Sequence, residues 1–261
     1  MKALIDCDIV VYREAAKAER DGITDPVKAI DQACMEIQNW KGLASANELT
    51  VVLSHADRRN FRKVINSRYK AHRKKTEPPP LLDDVLNGIR DRFDCFCISG
   101  IEADDTLGIL HTSCVYGDTT IVSTDKDMKT LPGRLINPMH LEYEQDISEH
   151  MADYTWFMQA LCGDTADGFK GCPGIGPKKA EAALDVNLKC KDTYWQVALD
   201  LFRDSKDATE DYMEEALMNV RMARILRRED FDKEQNTIRL WHPEQPEAFS
   251  LDLMEYTGYW G

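Results

Sequence analysis

The chain has 261 residues, with 33 Lys or Arg against 46 Asp or Glu and a formal net charge of -13. That length buries one large core, or one core with a smaller companion. No apolar run approaches the roughly 20 residues of a spanning helix, and the start MKALIDCDIV meets Arg13, Glu14 and Lys17 too soon for a signal peptide, so a cytoplasmic chain is expected.

KALIDCDIVV is short, apolar and β-branched, and reads as a first strand ending near Asp6. Asp25 then caps a helix with Pro26 at its first position and Val27, Ile30, Ala33, Cys34 and Ile37 along one face. A second strand runs from Leu49 to Ser54, and a basic segment from Arg58 to Lys75 is closed by EPPP, which breaks regular structure. A helix over LLDDVLNGIRDRF, a strand from Asp94 to Ser99, a helix from about Ala103 to Tyr116, a strand from Thr119, the loop DKDMKTLPG and a strand RLINP follow. Strands alternating with helices predict an α/β fold with a mostly parallel central sheet over residues 1–150. From 151 to 261 the pattern changes to helices and tight turns, which predicts a helical subdomain. The eight cysteines form no CxxC pair, so they read as reduced buried thiols and structural zinc is not expected.

Ligand crevices of open α/β sheets lie at the carboxyl ends of the strands. Four acidic groups fall there: Asp6 with Asp8, then Asp57, then Glu102, Asp104 and Asp105, then Asp125 and Asp127. Singly they have plainer readings, since helix starts favour acids as in IEADDTL and STDKDM suits a solvated turn. Together they repel one another unless cations lie between them, and Mg²⁺ or Mn²⁺ takes such oxygen ligands. Two such ions about 4 Å apart clamp the attacking and leaving oxygens in phosphodiester hydrolysis. Asp164 and Asp167 add a fifth pair, on one face if helical and otherwise part of an Asp- and Gly-rich turn.

The stretch GFKGCPGIGPKKAEAAL, residues 168–184, follows that pair directly. Gly171, Gly174 and Gly176 permit conformations that a Cβ blocks, and Pro177 opens a helix. Amides around Ile175 and Gly176, with Lys178 and Lys179 behind them, suit a backbone phosphate held without base reading, while an ordinary interhelical turn is the plainer alternative. The run RRNFRKVINSRYKAHRKK carries nine Lys or Arg, one His and no acid. That points to nucleic acid despite the acidic total. Arg221, Arg224, Arg227 and Arg228 form a second basic group.

LIDCD, EADD, TDKDMKTLPG and GDTADGFKGCPGIGPKKA, in this order over about the first 185 residues, resemble the 5'-nuclease superfamily of flap endonucleases and 5'-3' exonucleases. In motif style the chain is similar to small phage 5'-3' exonucleases that also act as RNase H. The resemblance implies a PIN-like nuclease core with a helical arch at about 58–92 and a helix-hairpin-helix subdomain. It implies Asp6, Asp57, Glu102, Asp104 and Asp105 at one metal ion, and Asp125, Asp127, Asp164 and Asp167 at the other. Lys70 and Arg73 then contact the scissile phosphate, Tyr69 stacks on a base, and Arg62, Lys63 and Lys74 meet the strand. It further implies action on duplex DNA with a 5' end or flap and on RNA–DNA hybrids, with K⁺ at hairpin carbonyls; a monomer is expected. The family's usual Asp-Gly is DCD here, which leaves Asp8 sharing or replacing the role of Asp6, and HADRRN departs from the usual form around Asp57. Two rivals stand beside this reading: a haloacid-dehalogenase-like phosphatase built on the DxD of the first strand, and a noncatalytic nucleic-acid binder.

Overall fold

In β1 (Lys2–Asp6), Ala3 and Ile5 join one apolar cluster and Leu4 another, the two-residue period of a strand covered on both faces. The structure, a computed structural model, describes residues 1–72, 77–113, 115–141, 144–184, 191–250 and 256–257. After Asp6 the chain turns at once into α1 (Cys7–Arg20). DIVV is therefore helical and does not extend the strand. Cys7, Val10, Val11, Ala15 and Ala18 make a buried stripe at three- and four-residue spacing, and that packing overrides the β-branched preference.

In α2 (Pro26–Leu43) the Asp25 carboxylate accepts from the Val27 N–H at 3.0 Å, the cap expected there. Then come β2 (Glu48–Val52), α3 (Phe61–Ile65), α4 (Leu82–Arg92), β3 (Cys95–Ile98), α5 (Ala103–Thr112) and β4 (Thr119–Val122). A 3₁₀ turn (Lys126–Thr130), β5 (Gly133–Ile136) and β6 (Gln145–Ile147) complete the first part. α6 (Glu149–Cys162), α7 (Pro177–Ala183), α8 (Lys191–Arg203) and α9 (Tyr212–Ala223) follow. The chain ends in β7 (Phe231–Asp232), β8 (Thr237–Leu240), β9 (Glu247–Phe249) and β10 (Tyr256–Thr257).

Among the described residues the main sheet has seven strands in the order β10-β3-β2-β1-β4-β5-β6. β1 to β5 are parallel, and β6 and β10 run antiparallel at the edges. α1, α2 and α4 cover one face and α5 the other. The chain winds outward from β1 through β2 to β3, then crosses back to β4 on the other side of β1. The crevice of this sheet is therefore at the carboxyl ends of β1 and β4.

α6, α8 and α9 surround a second cluster centred on Trp156, Phe157, Tyr194, Phe202 and Trp241. Among the described residues, the part after Asp230 holds strands and no helix. β7, β8 and β9 form an antiparallel sheet, in which Ile238 and Leu240 are buried and Arg239 is exposed, the alternation of a half-buried strand. The second basic group is consumed internally. Arg224 pairs with Asp230 at 2.7 Å and Glu229 at 2.9 Å, Arg227 with Asp153 at 2.7 Å, and Arg221 and Arg228 donate to the carbonyls of Trp241 and Phe231. The described cysteines are free thiols, while Cys114 and Cys190 lie outside the described residues. No helix among the described residues is long and apolar enough to cross a membrane.

Candidate active site

Strand ends deliver the acids to one place. Asp6, at the end of β1, is buried and accepts from the Ser123 hydroxyl beyond β4 at 2.6 Å. Burial, with Asp8 and Asp125 nearby, pushes its carboxyl up to about 7. Asp104, in the first turn of α5, is pushed well above the carboxylate range by burial and by Asp6, Asp125, Glu102 and Asp105. Asp125 accepts from the Asp127 N–H at 2.8 Å and so caps the start of the 3₁₀ turn. Burial and Asp125 raise Asp127 to about 6. Asp8 accepts from the Ser54 N–H at 3.0 Å and is raised by burial, so it belongs to the same cluster.

Lysines stand among the remaining acids. Glu102 caps α5 and accepts from Lys70 Nζ and from the Tyr69 hydroxyl, each at 2.6 Å. Burial pushes Glu102 up, but Arg62 and Lys70 outweigh it and hold the carboxyl at about 2. Lys70 also lies 3.7 Å from Asp167, and its N–H donates to the Asp167 carbonyl at 2.8 Å. Lys126 reaches Asp164 at 3.2 Å and Asp127 at 3.9 Å. Asp164 and Asp167 sit in a turn, with Asp164 bridged to Phe169, so the helical option for this pair fails. Among the described residues no group of three His, Cys, Asp or Glu side chains stands in metal-holding geometry.

Four expected roles change. Arg62 does not meet a strand: it is 4% exposed, forks onto Asp105 at 2.6 and 2.7 Å, and donates to the carbonyls of Met222 and Arg224. Asp105 is wholly buried, with its oxygens on Arg62 and the Leu226 N–H, so it fixes α5 and does not face the crevice. Tyr69 is 3% exposed, packs in the helical cluster and bonds Glu102 and Asp167, which leaves no face for a base. Asp57 spends its oxygens on Arg59, Ser99 and His55, and these hydrogen bonds outweigh burial and hold it well below the usual range. Arg73 and Lys74 lie outside the described residues; Lys63 is exposed on α3.

In the hairpin, the Gly171 N–H is taken by Asn219 at 2.9 Å and the Ile175 N–H by the Cys172 carbonyl at 3.1 Å. Neither amide is free for a phosphate. A Cβ on Gly171 (φ +68°) would lie 2.3 to 2.5 Å from the backbone of Leu161, Cys162 and Gly163, so this glycine serves close packing. Gly174 and Gly176 face open space, beside the exposed Lys178 and Lys179.

A family model, the 5'-3' exonuclease N-terminal resolvase-like domain, matches residues 2–156. The chain belongs to the 5'-3' exonuclease family. As a family member it is a 5'-3' exonuclease or flap endonuclease, which excludes the phosphatase rival. The exodeoxyribonuclease of Enterobacteria phage T3 is 28% identical over 231 residues, 74% of this chain and 73% of the relative. Flap endonuclease Xni of Photobacterium profundum is 30% identical over 235 residues, 79% of this chain and 89% of the relative. Among solved structures, the bacteriophage T5 flap endonuclease in a complex with DNA and metal ions has a TM-score of 0.56 at 16% identity, covering 84% of this chain and 98% of that one. The T5 5'-exonuclease with zinc bound has a TM-score of 0.52 at 17% identity, covering 84% of this chain and all of that one. These two share the fold of this exonuclease.

Sequence reasoning passed over Ser123 and Lys126 of the exonuclease. Both were within reach, since STDKD places a serine two residues before Asp125 and a lysine between the two acids.

Proposed function

We propose that this chain hydrolyses phosphodiesters near DNA 5' ends with two divalent ions, Mg²⁺ or Mn²⁺, and leaves 5'-phosphate and 3'-hydroxyl products. The carrying observation is the trio Asp6, Asp104 and Asp125, the first buried and the other two half-buried: among the described residues, none has a cation within ion-pair distance. Hard oxygen donors in that state fit a divalent ion, whose charge offsets their mutual repulsion. Asp6, Glu102, Asp104 and Asp125 would hold one ion with Asp8 alongside, and Asp127, Asp164 and Asp167 the other. When bound, the ions supply an activated water and neutralise charge on the phosphate.

The protein's own groups orient the reaction. Lys70, pinned through its backbone to Asp167, donates to the scissile phosphate and stabilises charge developing there, the role that the family resemblance also gives Arg73. Tyr69 keeps Glu102 aimed, and Arg62 with Asp105 hold α3 to α5. Lys63 and the basic segment attract the strand. The amides of Gly174 and Gly176 with Lys178 and Lys179 grip the duplex backbone away from the cut. RNA in RNA–DNA hybrids is a second substrate and primer removal the setting; the enzyme is cytoplasmic and monomeric, with K⁺ at hairpin carbonyls.

The test incubates 5'-labelled duplex, 5'-flap and RNA–DNA hybrid substrates with and without Mg²⁺, using wild type and an Asp125→Ala/Asp127→Ala variant. Mg²⁺-dependent cleavage lost in the variant is expected; equal cleavage by both proteins refutes the two-ion reading. Lys178→Ala with Lys179→Ala should weaken duplex binding and reduce its dependence on salt.

A further inference from the structure

A cavity of about 550 Å³ opens beside the acids, bounded by the end of β2, α3 and α4. Arg58, Lys63 and Arg90 line it, along with Asp8, Glu102 and one further acid, Asp83. Several cations elsewhere are paired, as the buried Arg62, Arg224 and Arg227 are, and Arg59 in this wall is committed to Asp57. The side chains of Arg58, Lys63 and Arg90 have no hydrogen-bond or ion-pair partner among the described residues. In a chain of net charge -13, Arg58, Lys63 and Arg90 bring positive charge to one cavity wall, with Arg90 acting on Asp8 across it. Arg58 is also held at φ +52°, a left-handed backbone that a non-glycine residue adopts at a cost.

Position selects the anion. Lys63 of α3 faces this cavity, whereas Ile65 at the end of the helix and Asn66, Ser67 and Arg68 just past it line the separate groove beside the hairpin. With the duplex on the hairpin side and Glu102 bordering the cavity, whatever lies beyond the cut on the 5' side enters it. The volume suits one nucleotide-sized group and excludes a duplex. A terminal phosphomonoester carries a charge near -2 at neutral pH, against -1 for an internal diester, and offers three oxygens to charged donors.

We infer that this cavity is a subsite for the 5'-terminal phosphate of the substrate strand, held by Arg58, Lys63 and Arg90. The inference rests on the nuclease reading above. The test measures binding of two hairpin duplexes, identical except for a 5'-phosphate or a 5'-hydroxyl, by fluorescence anisotropy with Ca²⁺ in place of Mg²⁺. Wild type should bind the phosphorylated duplex about tenfold more tightly, the scale of charge-assisted hydrogen bonds to a phosphate. Arg58→Ala and Arg90→Gln should each reduce that ratio, and together bring it to about 1. Arg58 is exposed, so its replacement does not burden folding, and a melting curve checks the half-buried Arg90 variant. A wild-type ratio of 1 overturns the subsite, as do variants that weaken both duplexes equally and leave the ratio intact. Cleavage with Mg²⁺ is scored separately. Cleavage without discrimination removes the subsite alone, whereas discrimination without cleavage keeps the subsite and removes the nuclease reading.

Discussion

Replacing Arg62 by Met removes a guanidinium that no solvent can substitute for. It leaves the wholly buried Asp105 without its two partners at 2.6 and 2.7 Å, and strips donors from the carbonyls of Met222 and Arg224. Breaking a buried pair from one side costs about 3–5 kcal/mol, because the surviving charge stays desolvated. At roughly 2–4 °C per kcal/mol for a chain approaching this size, the melting temperature should fall by about 6–20 °C. Thermal unfolding followed by circular dichroism, repeated in urea, reads the change. Replacing both partners, Arg62→Met with Asp105→Leu, should recover much of the loss, since well-packed apolar groups often match a buried ion pair. A single variant that melts within about 1 °C of wild type while binding DNA more weakly would refute the argument. Arg62 would then be the strand contact first expected.

The remaining predictions concern protonation, the ion site and the hairpin. Burial lowers His111 from 6.5 to about 4 in the folded chain, so between those values the unfolded state binds the extra proton. Stability should therefore fall as pH drops from about 6.5 to about 4, by roughly 3 kcal/mol; His111→Gln should flatten that slope in urea titrations, and an unchanged slope contradicts the assignment. Lys126, 77% exposed and set between Asp127 and Asp164, competes with a divalent ion. Lys126→Met should tighten Mn²⁺ binding roughly fivefold by removing a like charge, read by electron paramagnetic resonance, and equal or weaker binding refutes competition. Gly171→Ala drives a Cβ into backbone and should unfold the protein at a lower temperature than Gly174→Ala, which meets open space and bears only the left-handed strain of φ +75°. Equal melting of the two would remove the packing role of Gly171.

The acids were legible because each closes a short apolar strand, and strand ends are local patterns: Asp6 after ALI, Asp125 after TTIVST. The parallel sheet followed from strand and helix alternation. Arg62 and Tyr69 were misplaced because their surroundings come from far along the chain. The partners of Arg62 stand 43, 160 and 162 residues away, and no local spacing tells a solvated cation from one clamped at such range. DIVV misled for a different reason: four residues suit either period, and only the longer stripe to Ala18 decides for the helix. In the hairpin three glycines looked alike, yet Gly171 is wedged against Leu161 and Gly163 while Gly174 is open, a difference that only the fold creates.

The clamp on Arg62 also bears on how a nuclease emerges from the ribosome. The carboxylates proposed to hold the ions all lie between Asp6 and Asp167, but the Met222 and Arg224 carbonyls that receive Arg62, and the Leu226 amide that meets Asp105, come more than fifty residues later. A nascent chain that already displays every acid still lacks the segment that locks α3 onto α5. The order of the chain thus separates delivery of the acids from the clamp that fixes the helices beside them.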